Sequence, residues 1–157
     1  LPKMRYSNEG RIVYISSVLG FVAMPFRGPY VASKFAIEGL VGTLRLELRD
    51  TNIKLSSIQP GPIESKFREN AYLAFQQNVD ISSSHYKNQY KIMIKRLKSG
   101  QNVKFTLPPE AVLKCAIHAL ESSNPKNYYR VTFPTKLFSL LGKIFPSKWM
   151  DNILNQS

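Results

Sequence analysis

Two consecutive stretches decide the fold: GRIVYISSVLGFVAMPFRGPYVASKFAIEGL at 10–40 and IKLSSIQPGPIES at 53–65. Residues 11–16 (RIVYIS) are β-branched and aromatic and read as a buried strand, with Gly10 supplying a turn before it. Gly20, Pro25 and Gly28 make 17–28 a loop. Pro29 stands where a helix tolerates proline, in its first turn. From Tyr30 to about Asp50, Ala36, Ile37, Leu40, Leu44 and Leu48 recur near spacings of three and four. That helix is on the order of 30 Å long. Ile53 to Ile58 is the next strand, and Gln59-Pro60-Gly61-Pro62 stops it. Strand, long helix, strand is a βαβ unit, which implies a parallel sheet and a right-handed crossover.

Beyond this unit, residues 1–9 are polar and carry little pattern. Helices are expected over 66–78 and 85–98, separated by a Ser-rich break at 82–84. In the second of these, Tyr86, Tyr90, Met93 and Leu97 share a face, and Lys87, Lys91, Lys95 and Lys98 form a neighbouring stripe read as a solvated flank. Pro108-Pro109-Glu110 opens a helix to about Ser122, and YYRVTF at 128–133 is a third strand. The tail from Thr135 to Leu154 holds two short helical segments split by Pro146.

The chain of 157 residues is one domain's worth, with 43% hydrophobic and 20% charged residues, the composition of a soluble globular protein. The net charge is +12, spread along the chain with no run of five or six like charges. This argues against a basic nucleic-acid-binding arm and suits a phosphorylated cofactor or an anionic surface. The single cysteine, Cys115, rules out an internal disulfide framework and fits a reducing compartment; in AVLKCAIHAL it reads as a small buried hydrophobe. With no secretory signal and no long apolar run, the expected location is cytoplasmic. Residue 1 is Leu, so the expectation is either a chain that was cut or one that begins inside a longer reading frame.

Three polar residues stand where chemistry is possible. Ser17 lies just past the first strand, at the end where open α/β sheets place ligands. Tyr30 and Lys34 are four apart on one helix face. A phenol alone holds its proton at neutral pH, but a nearby ammonium stabilises the phenolate. A serine hydroxyl beside it can hold a carbonyl or alcohol oxygen. The trio could therefore protonate that oxygen while hydride reaches the carbon. Singly, Tyr30 reads as a packed aromatic, Lys34 as a solvated charge, and Pro60-Gly61 as an ordinary turn.

In order, these segments closely resemble the short-chain dehydrogenases/reductases. In that family a strand ending in Ser-Ser precedes Tyr-x-Ala-Ser-Lys, matched here by YVASK at 30–34. The family's serine lies thirteen positions before the tyrosine, which selects Ser17 over Ser16. The resemblance implies Tyr30 as general acid/base, Ser17 as holder of the substrate oxygen, and Lys34 as the group that promotes the phenolate and bonds the nicotinamide ribose. It implies further that Pro60, Gly61, Ile63 and Ser65 lie against the nicotinamide, Ile63 offering backbone and Ser65 a hydroxyl where the family usually has threonine. GPIESKF, TLPPEAV and the tail FPTKLFSLLGKIFPSKWMDNIL resemble bacterial aldehyde-reductase-like members, related to the retinol and 17β-hydroxysteroid dehydrogenase branch.

The implied fold is α/β: the C-terminal half of a doubly wound, Rossmann-like domain, contributing strands 5, 6 and 7 with flanking helices. Residues 1–63 form the catalytic core segment, 64–107 the substrate-loop region, 108–133 the last helix and strand, and 134–157 an amphipathic tail. Leu1-Pro2-Lys3-Met4 resembles the end of the family's preceding helix. The family's Thr-Gly-x-x-x-Gly-x-Gly phosphate loop is not among these residues, so the 157 alone are expected to bind cofactor weakly, with strand 11–16 an open edge.

The implied activity is interconversion of an apolar aldehyde or ketone with its alcohol, with NADP expected over NAD. Phe67, Tyr72, Phe75, Tyr86, Tyr90 and Met93 suit an apolar substrate. The basic, amphipathic tail is expected over the substrate mouth or on a second subunit of a homo-oligomer, with a membrane surface as a further option. Two alternatives stay open: a non-catalytic remnant of such an enzyme, and a basic module for anionic surfaces.

Overall fold

A computed structural model of the chain describes residues 1–98 and 104–155; positions 99–103 of the expected substrate-loop region and the last two of the tail lie outside the described residues. The elements run α1 (Pro2–Ser7), β1 (Gly10–Ile15), a short 3-10 turn (Val18–Gly20), α2 (Gly28–Glu47), β2 (Ile53–Gln59), α3 (Phe67–Asn78), α4 (Lys87–Lys98), α5 (Glu110–Glu121), β3 (Tyr128–Arg130), α6 (Phe133–Ile144) and α7 (Ser147–Asn155). The three strands form one sheet in the order β1-β2-β3. All pairings are parallel, from Gly10 with Ile53 to Ile15 with Ile58, and from Ser57 with Tyr128 to Gln59 with Arg130.

β2 is the central strand and is buried on both faces apart from Lys54. Its two serines survive there because each hydroxyl is bonded. Ser56 Oγ donates to the Lys126 carbonyl at 2.9 Å, and Ser57 Oγ donates to Glu38 Oε1 at 2.8 Å. The Ser57 bond draws α2 onto one face of the sheet. On the other face Ile58 packs with Ala119 of α5 and Tyr129 of β3, flanked by Val13, Val112 and Cys115. Helices on both faces of a parallel sheet make this the doubly wound α/β arrangement. β1 and β3 are the edge strands among the described residues, and Ile15 at the end of β1 is about half exposed.

Several boundaries differ from the sequence reading. Gly10 lies inside β1, and Ser16 falls just after it. The N-terminal nine residues include the helix α1. The long helix begins at Gly28 and ends at Glu47, where Leu48 turns inward as the buried C-cap. Its buried side follows Ile37, Val41, Leu44 and Leu48, while Leu40 faces out. The third strand stops at Arg130 rather than Phe133. Thr132, fully buried, caps α6, and Pro134 occupies its first turn, so Phe133 belongs to the tail. Cys115 is half-buried rather than enclosed.

Candidate active site

The carboxyl ends of the parallel strands converge on one edge of the sheet. The ladder runs past β1, with Ser16 N donating to the Ile58 carbonyl and Val18 N to the Pro60 carbonyl, both at 2.8 Å. On the far side Val131 N donates to the Gln59 carbonyl at 3.3 Å. These bonds set Ser17 level with the Pro60-Gly61 turn, where a doubly wound sheet binds ligands.

Ser17 is buried and starts the 3-10 turn, its hydroxyl accepting from Leu19 N at 3.1 Å. Ser16, its neighbour, turns the other way. Its buried hydroxyl has no hydrogen-bond partner among the described residues and lies under Gly20. Gly20 lies so close to α2 that a Cβ there would stand 2.7 Å from Ser16 Oγ, 2.8 Å from Glu38 Cγ and 3.1 Å from the Lys34 carbonyl. Only a residue without a side chain lets the loop and helix approach this closely.

That approach places the first two turns of α2 over the strand end. The Lys34 ammonium donates to the Ile15 carbonyl at 3.0 Å and lies 5.6 Å from the centroid of the Tyr30 ring. Tyr30 is half-buried, its ring tilted against Phe67 at 5.2 Å between centroids. The side chains of Ser17, Tyr30 and Lys34 share this edge without direct hydrogen bonds to one another among the described residues. A substrate oxygen and a ribose hydroxyl are the kinds of group that could bridge them.

The second predicted segment is built equally tightly. A Cβ on Gly61 would collide with Thr132 Oγ1 and stand 2.7 Å from Thr135 Oγ1, two fully buried hydroxyls bonded to each other at 2.9 Å. Ile63 bridges in parallel to Leu107: Leu107 N donates to the Pro62 carbonyl at 3.1 Å and Glu64 N to the Leu107 carbonyl at 3.0 Å. In that pattern the N–H and carbonyl of Ile63 itself face away from Leu107. The carbonyl accepts from Ser65 Oγ at 3.4 Å, and the same hydroxyl accepts from Phe67 N at 3.4 Å. The Ile63 N–H is left without a protein acceptor among the described residues. An outward-facing N–H beside a serine hydroxyl fits the carboxamide of a nicotinamide, and Lys34 fits its ribose. The dinucleotide's phosphates have no comparable cradle among the described residues.

Three contributors escaped the sequence reading: Gly20, the Glu38 carboxylate bonded to Ser57, and the hydroxyl pair under Gly61. Glu38 had a signal, since it follows Lys34 by four on the same helix face. Phe67 is the ring packed on Tyr30, and a further aromatic cluster forms between the loop before α2 and helices α3 and α4. Phe26, in the left-handed region at φ 60°, meets Tyr86 and Tyr90 edge-on, and Tyr90 meets Phe75. The tail returns to the site as well: Met150 and Leu154 of α7 pack on Val22, with Val18 and Phe21 beside them, directly after Ser17. The lysines at 87, 91, 95 and 98 are exposed, as expected of a solvated flank.

Residues 1–74 match the short chain dehydrogenase family. The oxidoreductase YbbO of Escherichia coli (strain K12) is 40% identical over 98% of this chain and 51% of its own length. The chain is thus similar over nearly its whole length to oxidoreductases of the short-chain dehydrogenase kind. Human retinol dehydrogenase 8 is 33% identical over 80% of this chain and 40% of its own length. A short-chain dehydrogenase/reductase from Burkholderia phymatum, solved in complex with NAD, shares the fold with a TM-score of 0.63 at 22% identity, covering 88% of this chain and 48% of that one. The chain therefore spans about half the length of the curated relatives it matches. Among the described residues no helix is long and apolar enough to cross a membrane, and no cluster of side chains could hold a metal ion.

Proposed function

We propose that these residues form the catalytic half of an NAD(P)-dependent oxidoreductase that interconverts an apolar aldehyde or ketone with its alcohol. The observation that carries this is the Tyr30–Lys34 pair: an ammonium tied to the Ile15 carbonyl and held 5.6 Å from the tyrosine ring, at the strand edge that also presents Ser17. A nicotinamide dinucleotide, when bound, supplies or accepts the hydride at the reacting carbon. Tyr30 gives its phenolic proton to the developing alkoxide, or takes the alcohol proton in reverse. Ser17 donates a hydrogen bond to the same oxygen, and Lys34 stabilises the phenolate that the transfer leaves. Ile63, Ser65 and Lys34 would hold the nicotinamide end, with Pro60 and Gly61 forming the turn beneath it. Phe26, Phe67, Phe75, Tyr86 and Tyr90 offer an apolar wall and few donors, which favours a hydrophobic carbonyl compound. NADP is the preferred cofactor, on the likeness of GPIESKF, TLPPEAV and the tail to NADP-dependent aldehyde reductases; the other likeness of those segments, to retinol dehydrogenases, accords with an apolar substrate.

The test is to follow oxidation of NADPH and NADH by the complete protein carrying these residues, against a series of aldehydes and ketones of increasing apolar length. Carbonyl-dependent oxidation that rises with chain length is expected, with NADPH the better donor. Oxidation indifferent to the carbonyl compound would overturn the proposal.

A further inference from the structure

The tail shows a second face. Around α6, Thr135 and Phe138 point inward, Thr135 being fully buried and Phe138 packing toward Met150 and Leu154. At 3.6 residues per turn, Phe133, Leu137, Leu140 and Ile144 fall on one narrow stripe on the opposite side. All four are exposed, Leu140 to 57% and Ile144 to 63%. α7 divides the same way: Met150 and Leu154 turn in, while Trp149 is 62% exposed and stacks on Phe145 at 5.9 Å. An apolar stripe of this size, opposite a packed face, marks an interaction surface.

Charge borders this stripe on one side. Lys136 and Lys143 flank it on α6, and both also line a groove of about 700 Å³ between α5, β3 and α6. Lys114, Lys126 and Arg130 complete the groove's cations, no carboxylate lines it, and Leu140 belongs to both groove and stripe. Arg130 Nε is buried without a hydrogen-bond partner among the described residues, and its guanidinium lies 5.9 Å from the centroid of the Tyr128 ring. Apolar ridge and basic groove thus form one continuous surface. Its chemistry is that of a helix lying in a lipid interface, with apolar side chains at the acyl boundary and cations toward phosphate-bearing headgroups. A soluble acidic protein would answer the groove and leave the ridge wet. A second copy of this chain would set five cations against five.

We infer that α6 and α7 dock this protein on the surface of an anionic lipid bilayer, with the stripe entering the headgroup boundary and the groove receiving headgroup phosphates. The inference stands apart from the proposed catalysis, since the stripe lies on the faces of α6 and α7 opposite those packed toward the site.

The full chain is mixed with vesicles of phosphatidylcholine alone or with added phosphatidylglycerol, and floated on a density gradient. Emission of the single tryptophan, Trp149, is recorded in parallel. The expected result is flotation and a blue shift with phosphatidylglycerol only, both reversed by salt. Replacing Lys136 and Lys143 with Gln should weaken binding about 25-fold, near fivefold for each lysine. Leu140→Ser with Ile144→Ser should remove the blue shift; these exposed positions leave the fold intact, which circular dichroism verifies. Equal flotation with phosphatidylcholine alone, or no flotation, overturns the inference. So does concentration-dependent dimerisation abolished by the serine variant in the absence of any vesicle binding.

Discussion

Gly20→Ala is the most informative single perturbation, because one methyl group probes both packing and the site. The new Cβ would lie 2.7 Å from Ser16 Oγ, 2.8 Å from Glu38 Cγ and 3.1 Å from the Lys34 carbonyl. Ordinary contact begins near 3.4 Å, so Ser16 Oγ and Glu38 Cγ must shift by more than half an ångström and the Lys34 carbonyl by a few tenths. Ser16 can rotate, since its hydroxyl has no bond to lose. Glu38 cannot do so freely, because it accepts from Ser57 Oγ, which is fully buried. Breaking that bond orphans a buried hydroxyl, at about 1–3 kcal/mol. Keeping it forces overpacking, also about 1–3 kcal/mol. A loss of about 2 kcal/mol corresponds to a fall in Tm of about 4–8 °C for a chain of this size. Urea unfolding followed by circular dichroism measures it. If the helix yields instead, Lys34 and Tyr30 move with it, and turnover falls because small misplacements near the chemistry are magnified. Ser16→Ala alone removes an unpartnered buried hydroxyl and should be neutral or slightly stabilising. The double variant should recover part of the loss, a coupling that a double-mutant cycle isolates. A Gly20→Ala protein within 0.5 kcal/mol (roughly the additivity error of such measurements) and with unchanged turnover would refute the close-approach argument.

Other outcomes follow from the same geometry. Cys115 has its thiol pushed up by burial, against the opposing fields of Lys126 and Lys136. It should alkylate with iodoacetamide more slowly than a free thiol in the native state and at the ordinary rate in urea. Because the folded thiol holds its proton longer, its stabilising contribution is intact below the ordinary thiol range. That contribution is lost as pH rises from that range through the raised value, which unfolding curves at increasing pH will show. Asp80 is held below the usual carboxylate range by the hydroxyl and N–H of Ser82 and then by the hydroxyl of Ser83. The turn it organises should persist above that range and open as pH falls through the lowered value, visible in the amide shifts of Ser82. The 157 residues should bind NADPH weakly or not at all in a fluorescence titration, since the phosphate loop is not among them; tight binding would contradict this.

The βαβ core was legible because its signals are local: β-branched runs, a proline in the helix's first turn, and a Pro-Gly stop after β2. The Tyr30–Lys34 pair was legible for the same reason, since a spacing of four fixes a shared helix face. Where the reading failed, distant contacts decided. β3 looks like a six-residue strand in YYRVTF, but Thr132 is buried against Gly61 and Thr135, and the chain turns into α6 there. Leu40 fits the apolar period of α2 and yet faces out, because Val41 takes the place against the core. Ser16 and Ser17 are chemically identical in the sequence. The family resemblance selected Ser17, and the position of Gly20 shows Ser16 turned beneath the loop. The return of α7 onto Val22 joins residues more than a hundred positions apart, which no local pattern encodes.

The measurement that bears most directly on the central claim is turnover of Tyr30→Phe in the complete protein, beside Ser17→Ala and Ser16→Ala. The Tyr30 hydroxyl makes no hydrogen bond among the described residues, so its removal should leave folding and cofactor affinity nearly unchanged. Turnover is predicted to fall by about 10²–10⁴-fold for Tyr30→Phe, strongly for Ser17→Ala, and little for Ser16→Ala. Tyr30→Phe turning over at the unaltered rate would contradict the account.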